Sequence, residues 1–157
     1  TLGIRMTQFR LDPEHPSALM PGKRPRVTPH ALMISHAGQL YMSLGTPGGE
    51  MQTQALVQIW LNHAVFGMNL QQALEAPRFR SRNWPDAFAP HEYLPGRIDL
   101  EDSLANREFH LGNMGYDLKR YPDLDNHFSA VGAIARGPGG QLRAASDPRE
   151  ETTALGK

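Results

Sequence analysis

The chain has 157 residues, enough for one domain with a buried core, and its 16 basic side chains are balanced by 16 acidic ones. The formal charge is therefore zero, and composition gives no support for binding a nucleic acid backbone or an anionic membrane surface. The absence of cysteine excludes disulfides, thiolate catalysis and cysteine-ligated metals. No apolar run approaches the roughly 18 to 20 residues of a membrane span. We therefore expect no nucleic acid partner and no membrane-spanning segment.

The first half of the chain predicts a strand pair followed by a helix pair. Residues 12–30 are rich in proline and favour an extended surface loop, and the dense apolar content of residues 31–45 is typical of a β-hairpin in a buried sheet. Apolar residues at steps of three and four predict a helix over 50–66. A short second helix should follow, with Asn69 as its N-cap and Gln72 in the capping-box position.

The second half predicts one helix between strands. The predicted elements are an irregular crossing over 81–96, a strand over 97–100, a helix over 103–113 capped by Asp102, and two strands over 129–137 and 141–147 joined by a Pro-Gly-Gly turn. No internal boundary is visible, so we treat residues 1–157 as one unit. The element order favours an α+β fold, a layered mixture of helices and antiparallel sheet, over alternating parallel units.

The glycine pair in "YMSLGTPGGE" is the first candidate site. Gly48 and Gly49 lie between a predicted strand and a predicted helix, where glycines serve a turn, a phosphate cradle or an oxyanion hole. A phosphate loop would continue with Lys and then Ser or Thr, whereas Glu50 and Met51 follow here. Spacing alone favours turn chemistry and leaves the oxyanion hole as the alternative.

Three further features are weaker candidates. Asp123, Asp125 and His127 alternate in "DLDNHF" and could ligate a metal, but a solvated loop is the simpler interpretation because no second cluster completes the set. Thr1 could act as an N-terminal nucleophile whose own amine takes the proton. His63 lies on an apolar helix face, which favours a hydrogen-bonded histidine over a catalytic base. We therefore predict no metal and no cofactor.

Four motifs in order carry a resemblance to a known family: "LDPEHPSALMPGKRPR", "LGTPGGE", "FGMNLQQALEAPRF" and "AASDPR". Together they resemble the C-terminal part of the small subunit of the gamma-glutamyltranspeptidase family, and the likeness runs from Leu2 to Gly156. The resemblance implies the N-terminal nucleophile (Ntn) hydrolase fold, a four-layer αββα sandwich built by both subunits of a self-cleaved precursor. This chain would supply part of those layers, and its partners would be the other segments of the same precursor.

The resemblance also implies a chemistry. In the family an N-terminal threonine attacks a gamma-glutamyl amide such as glutathione and passes the acyl group to water or to an amine. That threonine lies some tens of residues before the segment matched here, so Thr1 is not its counterpart and this chain alone should be inactive. The motif match assigns the oxyanion-hole amides to Gly48 and Gly49.

Substrate recognition departs from the best-known family pattern. An acidic residue that holds the glutamyl amino group falls on Thr7, within "IRMTQF", and a serine pair that binds the carboxylate falls on Val27 and Thr28. We expect Arg5, Thr7 and Thr28 to contact the substrate. Because Thr7 has no charge, glutathione should not be the best substrate, and Arg5 could instead meet a carboxylate.

Two alternatives stay open at this stage. One is a noncatalytic relative or binding domain, and the other is an amidohydrolase of the cephalosporin acylase type. The family is often exported, which favours a periplasmic or secreted location and leaves a cytoplasmic one possible.

Overall fold

The computed structural model describes residues 4–156, so the candidate Thr1 lies outside the described residues. The strands are β1 (His30–His36), β2 (Gln39–Thr46), β3 (Phe79–Ser81), β4 (Arg97–Glu101), β5 (Asp117–Tyr121), β6 (Gly132–Arg136) and β7 (Leu142–Ser146). The α-helices are α1 (Met51–Ala64), α2 (Leu70–Glu75) and α3 (Glu108–Asn113). Short 3₁₀-helices cover Ile4–Gln8, Asp102–Arg107, Asn126–Phe128 and Pro138–Gly140.

The main sheet is antiparallel and has the strand order β1-β2-β6-β7. It confirms the predicted hairpin and the predicted C-terminal strand pair. The hairpin turns at Ala37 and Gly38, which both have positive φ, and a register shift in β1 lies between Ile34 and Ser35. Because β2 and β6 are neighbours, the end of β2 lies close to the segment that precedes β6.

One face of the main sheet forms the core with helices α1 and α2. Its central side chains are at most 1% exposed, and burying such apolar side chains stabilises the fold by about 1.5–3 kcal/mol each. The largest members are Met42, Leu44, Met51, Leu56, Ile59, Leu74, Phe128 and Val131. The predicted helical stripe of residues 50–66 is thus confirmed as the inner face of α1.

The opposite face of the main sheet is open. Met33, Ile134 and Leu142 lie on it and are 68%, 49% and 74% exposed. The prediction that the hairpin strands lie in a buried sheet is therefore right for one face only. Successive side chains along a strand point to opposite faces of the sheet. A sheet with apolar residues on both faces therefore needs another layer on each face to remove them from water.

A second, three-stranded sheet has the order β3-β4-β5. Strand β4 pairs with β3 antiparallel and with β5 parallel, and neither β3 nor β5 was predicted. The predicted mixture of helices and antiparallel sheet did not include this parallel pair, which forms because a helical segment between β4 and β5 carries the chain back across the sheet so that both strands run the same way.

The helix ends follow the sequence signals at one place and depart from them at another. Asn69 caps α2 with a complete capping box to Gln72, as predicted. The predicted helix over 103–113 is instead a 3₁₀-helix, Asp102–Arg107, that runs into α3, and Asp102 is not its N-cap. Among residues 4–156, no helix has the length and apolar content that crossing a membrane requires.

Candidate active site

The turn between β2 and α1 places two glycines at a helix N-terminus. Gly48 has φ +124° and Gly49 has φ +56°, values that L side chains rarely adopt. Their carbonyls accept from Met51 N–H at 3.1 Å and from Gln52 N–H at 3.3 Å, which begins the helix. Both glycines are exposed. The N–H of Gly48 donates to no acceptor within residues 4–156, so this amide is available to a ligand.

Ser129 explains why the first of these positions requires glycine. A Cβ at Gly48 would lie 2.0 Å from Ser129 Oγ, far inside van der Waals contact. Ser129 itself has φ +62° and is 3% exposed. Its Oγ has no hydrogen-bond partner among the described residues. A buried hydroxyl without a partner and a non-glycine residue at positive φ both cost free energy, so the surrounding packing must hold Ser129 in place.

Gln52, on the first turn of α1, ties the turn to its neighbours. Its buried amide faces two carbonyls on one side and one N–H on the other, so only one orientation satisfies all three groups. In that orientation its nitrogen donates to Thr46 O at 3.1 Å and Thr28 O at 3.2 Å, while its oxygen accepts from Gly49 N–H at 3.2 Å. The Gly49 amide therefore has an internal partner in this structure, unlike that of Gly48.

A buried ion network lies beneath the turn. Arg78 donates to Asp147 at 2.6 Å and to the carbonyls of Phe128 and Ser129 at 3.2 and 2.6 Å. Burial lowers the pKa of Arg78, against the opposing attraction of Asp147. Truncating one partner of such a network would leave an uncompensated buried charge.

A second pair extends the network. Arg149 donates to Glu101 at 2.6 Å and to Asp147 at 3.0 Å, and it also reaches the carbonyl of Leu74 at 2.8 Å. Arg78 is the arginine of "EAPRF", Asp147 and Arg149 are the charged residues of "AASDPR", and Glu101 is the last residue of β4. They hold α2, β4 and the segment before β6 together, and Ser129 belongs to that segment.

A small cavity adjoins the exposed side of the turn. Its volume is about 170 Å³, and Arg26, Thr28, Gly49 and Glu50 line it. The structure thus brings the predicted substrate residue Thr28 to the glycine turn. The guanidinium of Arg26 lies 3.9 Å from the Glu50 carboxylate, which gives the cavity one charge of each sign.

Arg5 and Thr7 are not among the residues that line this cavity. Both lie on the 3₁₀-helix Ile4–Gln8, and the Thr7 hydroxyl donates to Ile4 O at 2.8 Å. The same helix contacts the cavity wall through Gln8, which accepts from Arg26 Nε at 3.2 Å. Gln52, Ser129 and Arg26 were not predicted as site residues, and the basic run "PGKRPR" is the local signal that could have pointed to Arg26.

The other candidates have structural partners. Asp123 accepts from the hydroxyl of Ser103 at 2.6 Å, Asp125 accepts from the His127 amide at 2.7 Å, and His127 pairs with Asp99 at 2.8 Å. Across residues 4–156 no group of three or more His, Asp or Glu could hold a metal ion.

His63 is likewise accounted for by its neighbours. Its Nε2 lies 2.6 Å from the Tyr41 hydroxyl and its Nδ1 lies 2.8 Å from Met68 O. The prediction of a hydrogen-bonded histidine is confirmed.

Comparison with known proteins decides the family. The family model described as Gamma-glutamyltranspeptidase matches residues 2–157. The chain belongs to the gamma-glutamyltranspeptidase family. Two relatives are the oxamate amidohydrolase proenzyme of Klebsiella pneumoniae, 31% identical over 97% of this chain, and the glutathione hydrolase proenzyme of Pseudomonas sp. strain A14, 37% identical over 89%. The chain spans only 28% and 24% of these two proteins, about a quarter of their length.

Two solved structures extend the likeness to the fold of this gamma-glutamyltranspeptidase family member. The gamma-glutamyltranspeptidase of Pseudomonas nitroreducens complexed with L-DON matches with a TM-score of 0.76 at 24% identity, covering 99% of this chain and 81% of that one. The cephalosporin acylase of Bacillus halodurans matches with a TM-score of 0.75 at 29% identity, covering 90% of this chain and 25% of that one. The predicted α+β, Ntn hydrolase fold is confirmed, and this chain contributes one part of it.

Proposed function

We propose that this chain is the C-terminal portion of the small subunit of an amide-cleaving or acyl-transferring enzyme, whose threonine nucleophile lies upstream. The proposal depends on the Gly48 turn, where an exposed amide with no acceptor among residues 4–156 lies at the N-terminus of α1. The positive end of the helix dipole adds to the field at that point. An amide in this position favours negative charge that develops on a substrate oxygen.

The proposed reaction uses the turn as an oxyanion hole. The upstream threonine hydroxyl attacks the amide carbonyl, its proton passes to its own amino group, and the carbonyl oxygen becomes negatively charged. Gly48 N–H donates a hydrogen bond to that oxygen. Gly49 N–H gives up its hydrogen bond to the Gln52 side chain and donates a second one to the same oxygen. As the tetrahedral intermediate collapses, the threonine ammonium returns this proton to the departing amine, and an acyl-threonine ester remains, which water or another amine then cleaves.

The acyl group would lie in the small cavity beside the turn. Thr28 offers a hydroxyl there and Arg26 offers a positive charge, which suits an acyl group that carries a carboxylate. Arg5 and Thr7 stay predictions as substrate contacts. Since Thr7 lacks the charge that would hold an ammonium group, we expect the gamma-glutamyl group of glutathione to be a poor substrate, by about one to two orders of magnitude.

The open sheet face indicates where the rest of the precursor would bind. Met33, Ile134 and Leu142 expose apolar surface on the face that the helices leave uncovered. The relatives are proenzymes several times longer than this chain. We propose that a segment of the same precursor covers this face and completes the second sheet of the sandwich.

Expression of the full open reading frame tests the proposal. We expect the precursor to cleave itself before a threonine, and the new N-terminal threonine to gain the mass of an acyl group from one member of an amide panel. The panel should contain gamma-glutamyl-p-nitroanilide, glutathione and oxamate. A precursor that stays intact and forms no acyl-enzyme with any amide would contradict the proposal and favour a noncatalytic binding domain.

A further inference from the structure

A second cavity is also lined by Glu50. Its volume is about 390 Å³, and its charged and aromatic lining residues are Glu50, Arg80, Arg82, Trp84 and Asp86. Glu50 and Thr53 line both this cavity and the smaller one beside Thr28. The two spaces are therefore neighbours at the start of α1. We call the larger space the Arg80 cavity.

The backbone of β3 positions the side chain of Arg80. Gln54 of α1 donates to Ser81 O and accepts from Ser81 N–H, at 3.2 and 2.8 Å. Gln58, one turn later, makes the same pair of hydrogen bonds to Phe79, at 2.9 and 3.1 Å. Two glutamines thus fix the residues on both sides of Arg80, so its Cα cannot shift without breaking four hydrogen bonds.

The side chain of Arg80 is mostly buried, and its Nε lacks a hydrogen-bond acceptor among residues 4–156. The side chain is 11% exposed, and the Nε atom is covered. The nearest acid is Asp86, whose oxygen is 3.8 Å away and so beyond hydrogen-bond distance. Burial, followed by the charge of Arg82, lowers the pKa of Arg80. An arginine so placed needs an oxygen ligand, because a desolvated donor without an acceptor is costly.

The neighbouring charges show that Arg80 is the available cation. Arg82 is already paired with Glu92, and it also lies 3.8 Å from Asp99. Glu50 lies 3.9 Å from Arg26. Among residues 4–156, Asp86 is the acid that comes within 4.0 Å of Arg80, and Trp84, 81% exposed, supplies an aromatic wall. A planar ligand with one carboxylate fits this combination of a guanidinium fork and an indole face.

We propose that the Arg80 cavity binds a carboxylate on the amine half of the substrate, that is, on the leaving group or on the acyl acceptor. This inference rests on the proposed function, which gives the Thr28 cavity to the acyl half. The scissile bond would lie over the glycine turn, and Arg80 would select amines by their carboxylate. Arg80 then acts as a specificity residue and leaves the acyl chemistry to the turn.

A pair of chromogenic amides tests this selection in the self-cleaved full-length protein. Gamma-glutamyl-p-nitroanilide and gamma-glutamyl-3-carboxy-4-nitroanilide share their acyl group and differ by one carboxylate on the leaving amine. Arg80→Gln should lower kcat/KM for the carboxylated amide about 10- to 100-fold, the range for losing one charge-assisted hydrogen bond, and change the other amide less than threefold. Arg80→Lys should restore part of the loss. Arg107→Gln, an exposed arginine outside the cavity, is the matched control.

Direct binding of the free amines separates this inference from the proposed function. Calorimetry should show that 5-amino-2-nitrobenzoate binds the protein more tightly than p-nitroaniline, and that Arg80→Gln abolishes the difference. If neither amide turns over but this difference is found, the carboxylate site stands and the proposed function fails. Equal losses for both amides, or no difference between the two amines, would overturn the carboxylate site.

Discussion

Replacing Gly48 with alanine should disable the turn while leaving the fold in place. The new Cβ would lie 2.0 Å from Ser129 Oγ and 3.1 Å from its Cβ, so the new Cβ and the Oγ must separate by about 1.4 Å more to reach the 3.4 Å of ordinary van der Waals contact. A displacement of that size moves the Gly48 amide away from the oxyanion. Losing one such donor costs about 2.7–4 kcal/mol of transition-state stabilisation, so kcat should fall about 10²- to 10³-fold.

Gly49→Ala is the matched control, because nothing lies within 4 Å of a Cβ at that position. Its φ of +56° falls in the left-handed region, which alanine enters at a cost of about 1–2 kcal/mol. The control should therefore lower the melting temperature and reduce kcat less than tenfold. Both variants are compared as self-cleaved full-length protein by single-turnover acylation and thermal melts.

A double variant shows whether the contact with Ser129 is the cause. Ser129→Gly removes the clashing atoms and suits the φ of +62° at this position. Gly48→Ala combined with Ser129→Gly should therefore recover part of the acylation rate lost by Gly48→Ala alone. The reasoning fails if Gly48→Ala keeps its acylation rate within threefold of the wild type, or if the double variant recovers nothing.

Three further outcomes are expected from buried polar groups. Ser129→Ala removes an unpartnered hydroxyl and should leave the unfolding free energy unchanged or raise it by about 1 kcal/mol in urea titrations; a clear decrease would reveal a partner for the hydroxyl. Gln52→Glu should destabilise the protein more than Gln52→Leu at pH 7, since a carboxylate would face two carbonyls. Thermal melts at pH 7 should therefore give the lower melting temperature for Gln52→Glu. For Asp99, burial alone would raise the pKa, but hydrogen bonds from His127 and Arg97 outweigh it and lower the pKa below the ordinary 3.8. The stabilisation by ionised Asp99 is thus present above pH 3.8 and lost as pH falls through the lowered value. The free energy of unfolding should therefore fall less steeply below pH 3.8 in Asp99→Asn than in the wild type, and parallel curves of this free energy against pH would contradict the prediction.

The elements that the sequence predicted well are those specified by local signals. Alternation marks β2, a three-to-four spacing marks α1, and the Asn69 capping box marks the start of α2. Strands β3 and β5 have three and five residues and no clean alternation, and they form only because β4 lies between them. Pairing of that kind depends on contacts distant in sequence, which a local pattern does not contain.

The residues of the candidate site likewise fall into two groups, those with a local sequence signal and those whose role depends on contacts distant in sequence. Gly48 could be found from its sequence because a glycine pair between strand and helix is a local signal. Ser129 lies 81 positions away in the chain, within an unremarkable run, and its relation to Gly48 exists only after β6 has paired with β2. Arg80 also carries no motif, because its unpartnered state arises from the fixed backbone of β3 and the distance to Asp86.

The motifs that mark the family and the residues that would choose the substrate lie in different parts of the molecule. Arg78, Asp147 and Arg149 carry two of the motifs, and each is at most 4% exposed and bound to other protein groups. Buried ion networks of this kind hold segments in position, and this one is closed to solvent. Thr28 and Arg80, by contrast, line two neighbouring cavities that share Glu50 and Thr53. Sharing these motifs therefore indicates a common acyl-transfer scaffold, and relatives named for oxamate, glutathione and cephalosporin are compatible with one scaffold carrying different cavity walls.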